Sequence, residues 1–181
     1  MSVTSPQTSL SVDVMLVDSE ETTARLAPML RTSYRVVVLS NVATARAVLG
    51  RGRVDVIVTD LALPDGTGSQ LCREAKALPI PPAVLVTTEQ VHHVPDALEA
   101  RCDGVLLKPF DPNLLVARLA RLIRGRAIGA RSNNGTNRFW GDTACPYCNA
   151  RGVTSFEFAS HRRSWYACGR CKKVWLAKRQ E

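Results

Sequence analysis

Asp60 closes an apolar run, Val54-Asp55-Val56-Ile57-Val58-Thr59-Asp60, and opens a loop that reads Leu61-Ala62-Leu63-Pro64-Asp65-Gly66-Thr67-Gly68. A carboxylate leaving a buried strand into a Pro/Gly loop stands at the carboxyl edge of a parallel α/β sheet, where such sheets carry ligand chemistry. A second group of residues offers different chemistry. Cys145-Pro146-Tyr147-Cys148 and Cys168-Gly169-Arg170-Cys171 are two Cys-x-x-Cys knuckles, with 19 residues between Cys148 and Cys168. Two thiolates spaced by two residues can grip one ion from a tight turn, and two such turns complete a tetrahedron.

Pro64 and Gly68 stand four and eight residues after Asp60. That spacing resembles the phospho-acceptor loop of bacterial response-regulator receiver domains, and the resemblance covers about residues 11 to 126. It implies that Asp60 accepts a phosphoryl group from a histidine kinase. It also implies that Asp18 is an acidic magnesium ligand beside Asp60, that Thr87, ending Val84-Leu85-Val86-Thr87, is the hydroxyl residue, and that Lys108 is the lysine. The family makes the bond equivalent to Lys108-Pro109 cis, a property confined largely to X-Pro bonds. The chemistry needs these types. Attack of a carboxylate on a phosphoryl group brings negative charge onto negative charge. Mg²⁺ on hard oxygen ligands offsets the repulsion, while a lysine and a hydroxyl hold the equatorial oxygens. The product is an acyl phosphate on Asp60. Two positions depart from the pattern. Ser19 stands where the family usually has a second acidic residue, with Glu20 following it. Val105 stands where an aromatic switch residue is expected, three positions before Lys108.

The cysteine pattern resembles the zinc ribbon, a small antiparallel β fold, over residues 139–181. Thiolates select zinc or iron over hard cations. Zinc is the expectation here, though a rubredoxin-like iron site uses the same paired knuckles. Four cysteines leave no open coordination position, so the expected role is structural. His161 falls in a turn, Ser160-His161-Arg162-Arg163, outside a ligand set that is already full. About 40 residues bury too little core to fold unaided, so the metal should be needed for folding.

Charge and aromaticity separate the two parts. Residues 1–130 carry 14 Lys+Arg against 13 Asp+Glu, whereas residues 131–181 carry 10 against 3. Eight of the ten Phe, Trp and Tyr residues lie between Phe139 and Trp175. In the tail Arg162, Arg163, Arg170, Lys172, Lys173, Lys178 and Arg179 interleave with Phe158, Trp165, Tyr166 and Trp175. Such a surface can hold phosphates and stack bases, so DNA or RNA is the expected partner, with Arg162, Arg163, Lys172 and Lys173 as contacts. A protein target is the alternative, and aromatic core residues on a solvated basic domain are the bland reading.

The elements that must position these residues follow from the apolar pattern. Strands read at Val12–Val17, Tyr34–Leu39, Val54–Thr59, Ala83–Thr87 and Gly104–Leu107. Helices read at Glu20–Thr32, with Pro28 inside it, Val42–Leu49, Gly68–Ala77, Pro95–Ala100 and Asp111–Arg124. Five strand–helix repeats with continuous apolar strands imply a parallel sheet covered on both faces. The resemblance gives the flavodoxin-like order of a doubly wound α/β fold. The Gly/Asn/Ser-rich stretch after Gly125 reads as a flexible linker over 127–138. Short β-type runs fill the tail at Val153–Ala159, Ser164–Ala167 and Val174–Ala177. Met1–Ser11 reads as a disordered lead-in without the features of a signal peptide. With no apolar run near the roughly 18–20 residues of a membrane helix, a cytoplasmic protein with thiol cysteines is expected, and no membrane partner. Cys72 and Cys102 read as ordinary small residues, and His92 and His93 as a surface loop. No P-loop, Ser/His/Asp order or open metal site points to a turnover enzyme.

Overall fold

The computed structural model describes residues 12–129, 140–141, 144–150, 153–157, 163–168, 170–171 and 173–178. The lead-in, most of the linker, Phe158, His161, Arg162, Lys172 and Arg179 lie outside the described residues.

Five strands form a parallel sheet: β1 (Asp13–Val17), β2 (Arg35–Leu39), β3 (Val56–Asp60), β6 (Ala83–Thr88) and β7 (Gly104–Leu107). Their order is β2-β1-β3-β6-β7, the flavodoxin-like winding. Successive side chains of a strand point to opposite faces, and the apolar runs are continuous because both faces are covered. Met15, Val17, Ile57, Val84, Val86, Val105 and Leu107 therefore enter one core cluster. It packs with residues of α2 (Val42–Leu49), α3 (Gly68–Lys76) and α4 (Val94–Glu99). Val14, Leu16, Val56, Val58, Leu85 and Leu106 enter the other, with residues of α1 (Glu20–Leu30) and α5 (Pro112–Gly129).

Several boundaries differ from the sequence reading. Helix α1 runs through Pro28 and ends two residues later. Helix α5 continues to Gly129, beyond the expected end at Arg124. Arg124, Arg126, Ala127 and Ile128 tolerate helix well enough to offset Gly125, so the first linker positions are helical. His92 and His93 lie in a 3-10 turn, Val91–His93, leading into α4. Between β3 and α3 stand two short strands, β4 (Ala62–Leu63) and β5 (Gly66–Thr67), pairing antiparallel around Pro64-Asp65.

The tail forms a four-stranded antiparallel sheet in the order β11-β10-β9-β8. The strands are β8 (Trp140–Gly141), β9 (Val153–Glu157), β10 (Arg163–Cys168) and β11 (Val174–Lys178). β8 was not legible in the sequence. This small sheet lies against the larger domain: β9 meets β7, β10 meets α4, and Val174 packs on the core cluster under α4.

Candidate functional site

Asp18, Asp60, Thr87 and Lys108 converge at the carboxyl edge of the parallel sheet. Each leaves or ends a different strand, so none is near another in sequence. Lys108 Nζ donates to Asp60 Oδ2 at 2.8 Å and lies 3.0 Å from Asp18 Oδ1 and 2.9 Å from Asp18 Oδ2. Thr87 Oγ1 donates to Asp18 Oδ2 at 3.3 Å and lies 3.4 Å from the Thr59 carbonyl. The Asp18 side chain is 1% exposed, that of Lys108 11% and that of Asp60 18%, so the group is a partly dry pocket open on the Asp60 side. Burial is the largest single influence on Lys108 and favours its neutral form. The hydrogen bonds and charges of Asp60 and Asp18 together outweigh it and hold the ammonium above its ordinary pKa. The Lys108-Pro109 peptide is cis, and the Lys108 N–H donates to the Thr88 carbonyl at 2.8 Å.

The loop that carries Asp60 is fixed from two sides. The Gly68 N–H donates to the Leu61 carbonyl at 3.0 Å. A Cβ at Gly68 would fall 2.1 Å from the Asp60 carbonyl oxygen, so only glycine permits this approach. From the other side, Asp65 Oδ1 accepts from the Val42 N–H at 2.7 Å and Oδ2 from the Ala43 N–H at 2.8 Å. These two bonds cap α2 from another loop and hold the Asp65 carboxyl below its ordinary value. Asp65 was not singled out from the sequence. Its partners lie over twenty residues upstream, and only the fold brings them together.

Magnesium fits the oxygen donors. The ion takes one or two carboxylates and completes its shell with water, and Asp18 and Asp60 would supply those carboxylates. Ser19 adds nothing to them. Its Oγ accepts from the Thr22 N–H at 3.3 Å and donates to Thr22 Oγ1 at 3.0 Å, so the hydroxyl caps α1. Glu20 is exposed on the first turn of α1.

The four tail cysteines also converge. Their sulfurs all lie within 4.8 Å of one another, with Cys145 Sγ 3.6 Å from Cys171 Sγ and Cys148 Sγ 3.7 Å from Cys168 Sγ. A tetrahedral ion with sulfur at about 2.3 Å puts its ligands roughly 3.8 Å apart, so the spacing fits zinc coordination. The first knuckle closes by Asn149 N–H donating to the Cys145 carbonyl at 2.8 Å. Asn149 has φ 54°, a left-handed conformation that asparagine tolerates. In the second, the Cys171 N–H donates to Cys168 Sγ at 3.5 Å. Cys72 and Cys102 stand apart from this cluster. Cys72 is buried on α3, where burial pushes its thiol up to about 12, and it donates to the Ala100 carbonyl at 3.1 Å. Burial likewise raises Cys102.

Among the expected nucleic-acid contacts, Arg163 begins β10 opposite Lys178, and Lys173 precedes β11. Arg162 and Lys172 lie outside the described residues. Lys173 Nζ stands 4.4 Å from the centre of the Tyr147 ring.

This is the architecture of a doubly wound α/β domain with paired carboxylates and a lysine at the carboxyl edge of its sheet. Residues 14–120 match the response regulator receiver domain family, and the chain belongs to it. It is 30% identical over 115 residues to the sensory transduction protein RegX3 of Mycobacterium tuberculosis, covering 61% of this chain and 50% of that protein. The identity is the same over 115 residues to the transcriptional regulatory protein ResD of Bacillus subtilis, covering 61% and 48%. The chain thus spans about half the length of the curated relatives it matches. The receiver domain of sensor histidine kinase PA1611 from Pseudomonas aeruginosa, solved with a magnesium ion in its active-site cleft, superposes with a TM-score of 0.58. It is 26% identical and covers 63% of this chain and 98% of that one. Receiver domains generally bind magnesium and take phosphate from histidine kinases. Among the described residues, no helix is long and apolar enough to cross a membrane.

Proposed function

We propose that the chain is a response regulator that accepts a phosphoryl group on Asp60 and acts through a basic zinc ribbon that contacts nucleic acid. The observation that carries the first half is Lys108 Nζ within hydrogen-bond reach of both Asp18 and Asp60. In the reaction, an Asp60 carboxylate oxygen attacks the phosphorus of a kinase phosphohistidine. A P–O bond forms, the P–N bond breaks, and the electron pair leaves on the imidazole nitrogen, which takes up a proton from water. Lys108 is placed to neutralise Asp60 and to follow the charge as it moves onto the phosphoryl oxygens. Thr87 Oγ1 can turn its hydrogen from Asp18 to one of those oxygens. Bound magnesium would supply charge neutralisation at the two carboxylates. The domain boundaries that go with this reading are a receiver over 11–126, a linker over 127–138 and a ribbon over 139–181, with Cys145, Cys148, Cys168 and Cys171 on the zinc.

Incubation with Mg²⁺ and a small phosphodonor should label the wild type and leave Asp60→Ala unlabelled. Absence of label where an ordinary receiver is labelled would sink the phospho-acceptor reading. Nucleic-acid contact is supported by the excess of basic residues in the tail. It predicts binding that weakens with salt and falls in Arg162→Ala/Arg163→Ala.

The diversion of Ser19 into a helix cap favours a second reading, a receiver weakly or not phosphorylated that serves as an adaptor, with the ribbon gripping another protein. A specific partner retained by Asp60→Ala in pull-downs would support it.

A further inference from the structure

The ribbon divides its surroundings between two faces of one strand. Val174 packs on the receiver core cluster. Trp175, the next residue along β11, points to the opposite face by the alternation of a strand. There it stacks on Tyr166, its register partner on β10, with ring centres 5.8 Å apart and planes at 18°. Tyr166 and Trp175 pack on the cysteine cluster and cover it.

Tyr147 is a third ring that this cover does not require. It sits between Cys145 and Cys148, outside the cysteine cluster, and is 55% exposed. Its ring meets Trp175 edge-on, with centres 6.0 Å apart and planes at 75°. Lys173 Nζ lies over one face of the ring, 4.4 Å from its centre. An exposed aromatic ring packed against a second ring, with a cation at hand, matches what a nucleotide offers: a planar base and a phosphate. The excess of ten basic over three acidic residues in the tail gives the charge complementarity.

We propose that Tyr147, backed by Trp175 and flanked by Lys173, is a stacking platform for one base of a single-stranded nucleic acid whose phosphate pairs with Lys173. The proposal rests on the nucleic-acid reading of the ribbon and narrows it to unpaired bases, because a ring face can be stacked only by a base free of its own stack. Tyr147 is exposed while the small sheet rests on the receiver, so the platform is open in that arrangement.

The test uses the full chain reconstituted with zinc, with the metal content of every variant measured. Fluorescence anisotropy compares a labelled oligothymidine with a duplex of equal length across a salt series. The expected result is tighter binding of the single strand. Tyr147→Ala should loosen it by about 5- to 150-fold, the range for losing one stacked base, with an unchanged salt slope. Tyr147→Phe should bind as wild type, and Lys173→Ala should lower the salt slope by about 1. A halogenated-uridine photocrosslink on the unmodified protein should map to Tyr147, which tests the site without any variant. Wild-type affinity in Tyr147→Ala, preference for the duplex, or crosslinks confined to other residues would overturn the platform and leave nucleic-acid binding standing. No binding of either nucleic acid by the wild type would overturn both.

Discussion

Gly68→Ala is the sharpest perturbation of the Asp60 loop. The added Cβ would stand 2.1 Å from the Asp60 carbonyl oxygen and 3.1 Å from Thr59 Cγ2. The first of these is backbone, which cannot swing aside as a flexible side chain would. Reaching even 3.0 Å, the floor for real contacts, requires a displacement of 0.9 Å between the start of α3 and the end of β3. Overpacking of that kind costs about 1–3 kcal/mol, equivalent to roughly 5–15 °C in the melting of a domain this size. The functional cost is separate. A misplacement near 1 Å at a reacting group can lower the rate about 100-fold, and here the shifted atoms belong to Asp60, the proposed phospho-acceptor. Thermal melting and the initial rate of labelling by a small phosphodonor measure the two effects independently. A variant that melts like wild type would refute the steric argument. One that melts low yet labels at the wild-type rate would show that α3 moves and Asp60 does not.

Lys108→Met should destabilise the receiver by about 3 kcal/mol in chemical denaturation, because it leaves the buried Asp18 carboxylate beside Asp60 without a cation; added Mg²⁺ should restore part of the loss. Ser19→Asp should keep α1 capped, since aspartate is as good an N-cap, and should tighten Mg²⁺ about 10-fold by adding a carboxylate, about 1.4 kcal/mol; isothermal titration measures it. On the proposed zinc reading, chelation or Cys168→Ser should unfold the small antiparallel sheet, seen as loss of near-ultraviolet tryptophan dichroism, while the receiver keeps its far-ultraviolet signal. The folded Asp65 carboxyl lies below its ordinary value of 3.8, so its stabilisation is present above that value and is lost as pH falls through the lowered one. Asp65→Asn should therefore melt below wild type at neutral pH, and the gap should close in acid.

The strands and helices were legible because both faces of the sheet are covered, which leaves uninterrupted apolar runs that end at Asp18, Asp60 and Thr87. Asp60 stood out at the end of its apolar run, whereas Asp18, Thr87 and Lys108 were picked out by the family resemblance, each at or just after a strand end. What was not readable depends on contacts between distant segments. Asp65 looks like any Pro-Asp-Gly turn residue until α2 is brought to it. Ser19 looks like a vacant ligand position until its hydroxyl is seen capping α1. Gly68 could be read as part of a spacing pattern, but the reason for glycine is a carbonyl eight residues back. In the tail, Cys-x-x-Cys spacing revealed the cluster, whereas β8 is two residues long and carries no periodicity.

The placement of the ribbon bears on how the two halves could communicate. Lys108 follows β7 directly, and β7 meets β9, so one path from Asp60 to the small sheet is an ion pair and a four-residue strand. Val105 on that strand is 8% exposed and offers no ring to rotate. A phosphoryl group on Asp60 would compete with Asp18 for Lys108, and it can shift the ribbon only by the difference in stability this makes between docked and released forms. Complete reversal of such an equilibrium, from 1:99 to 99:1, needs about 5.5 kcal/mol, which is large beside what one ion pair contributes. Full release is therefore a demanding requirement. The Tyr147 face does not impose it, since that ring is exposed in the docked form. A regulator built this way would change where an already open surface is held, and hydrogen exchange at β9 and β10 with and without phosphodonor would report a modest change in protection, not a loss of it.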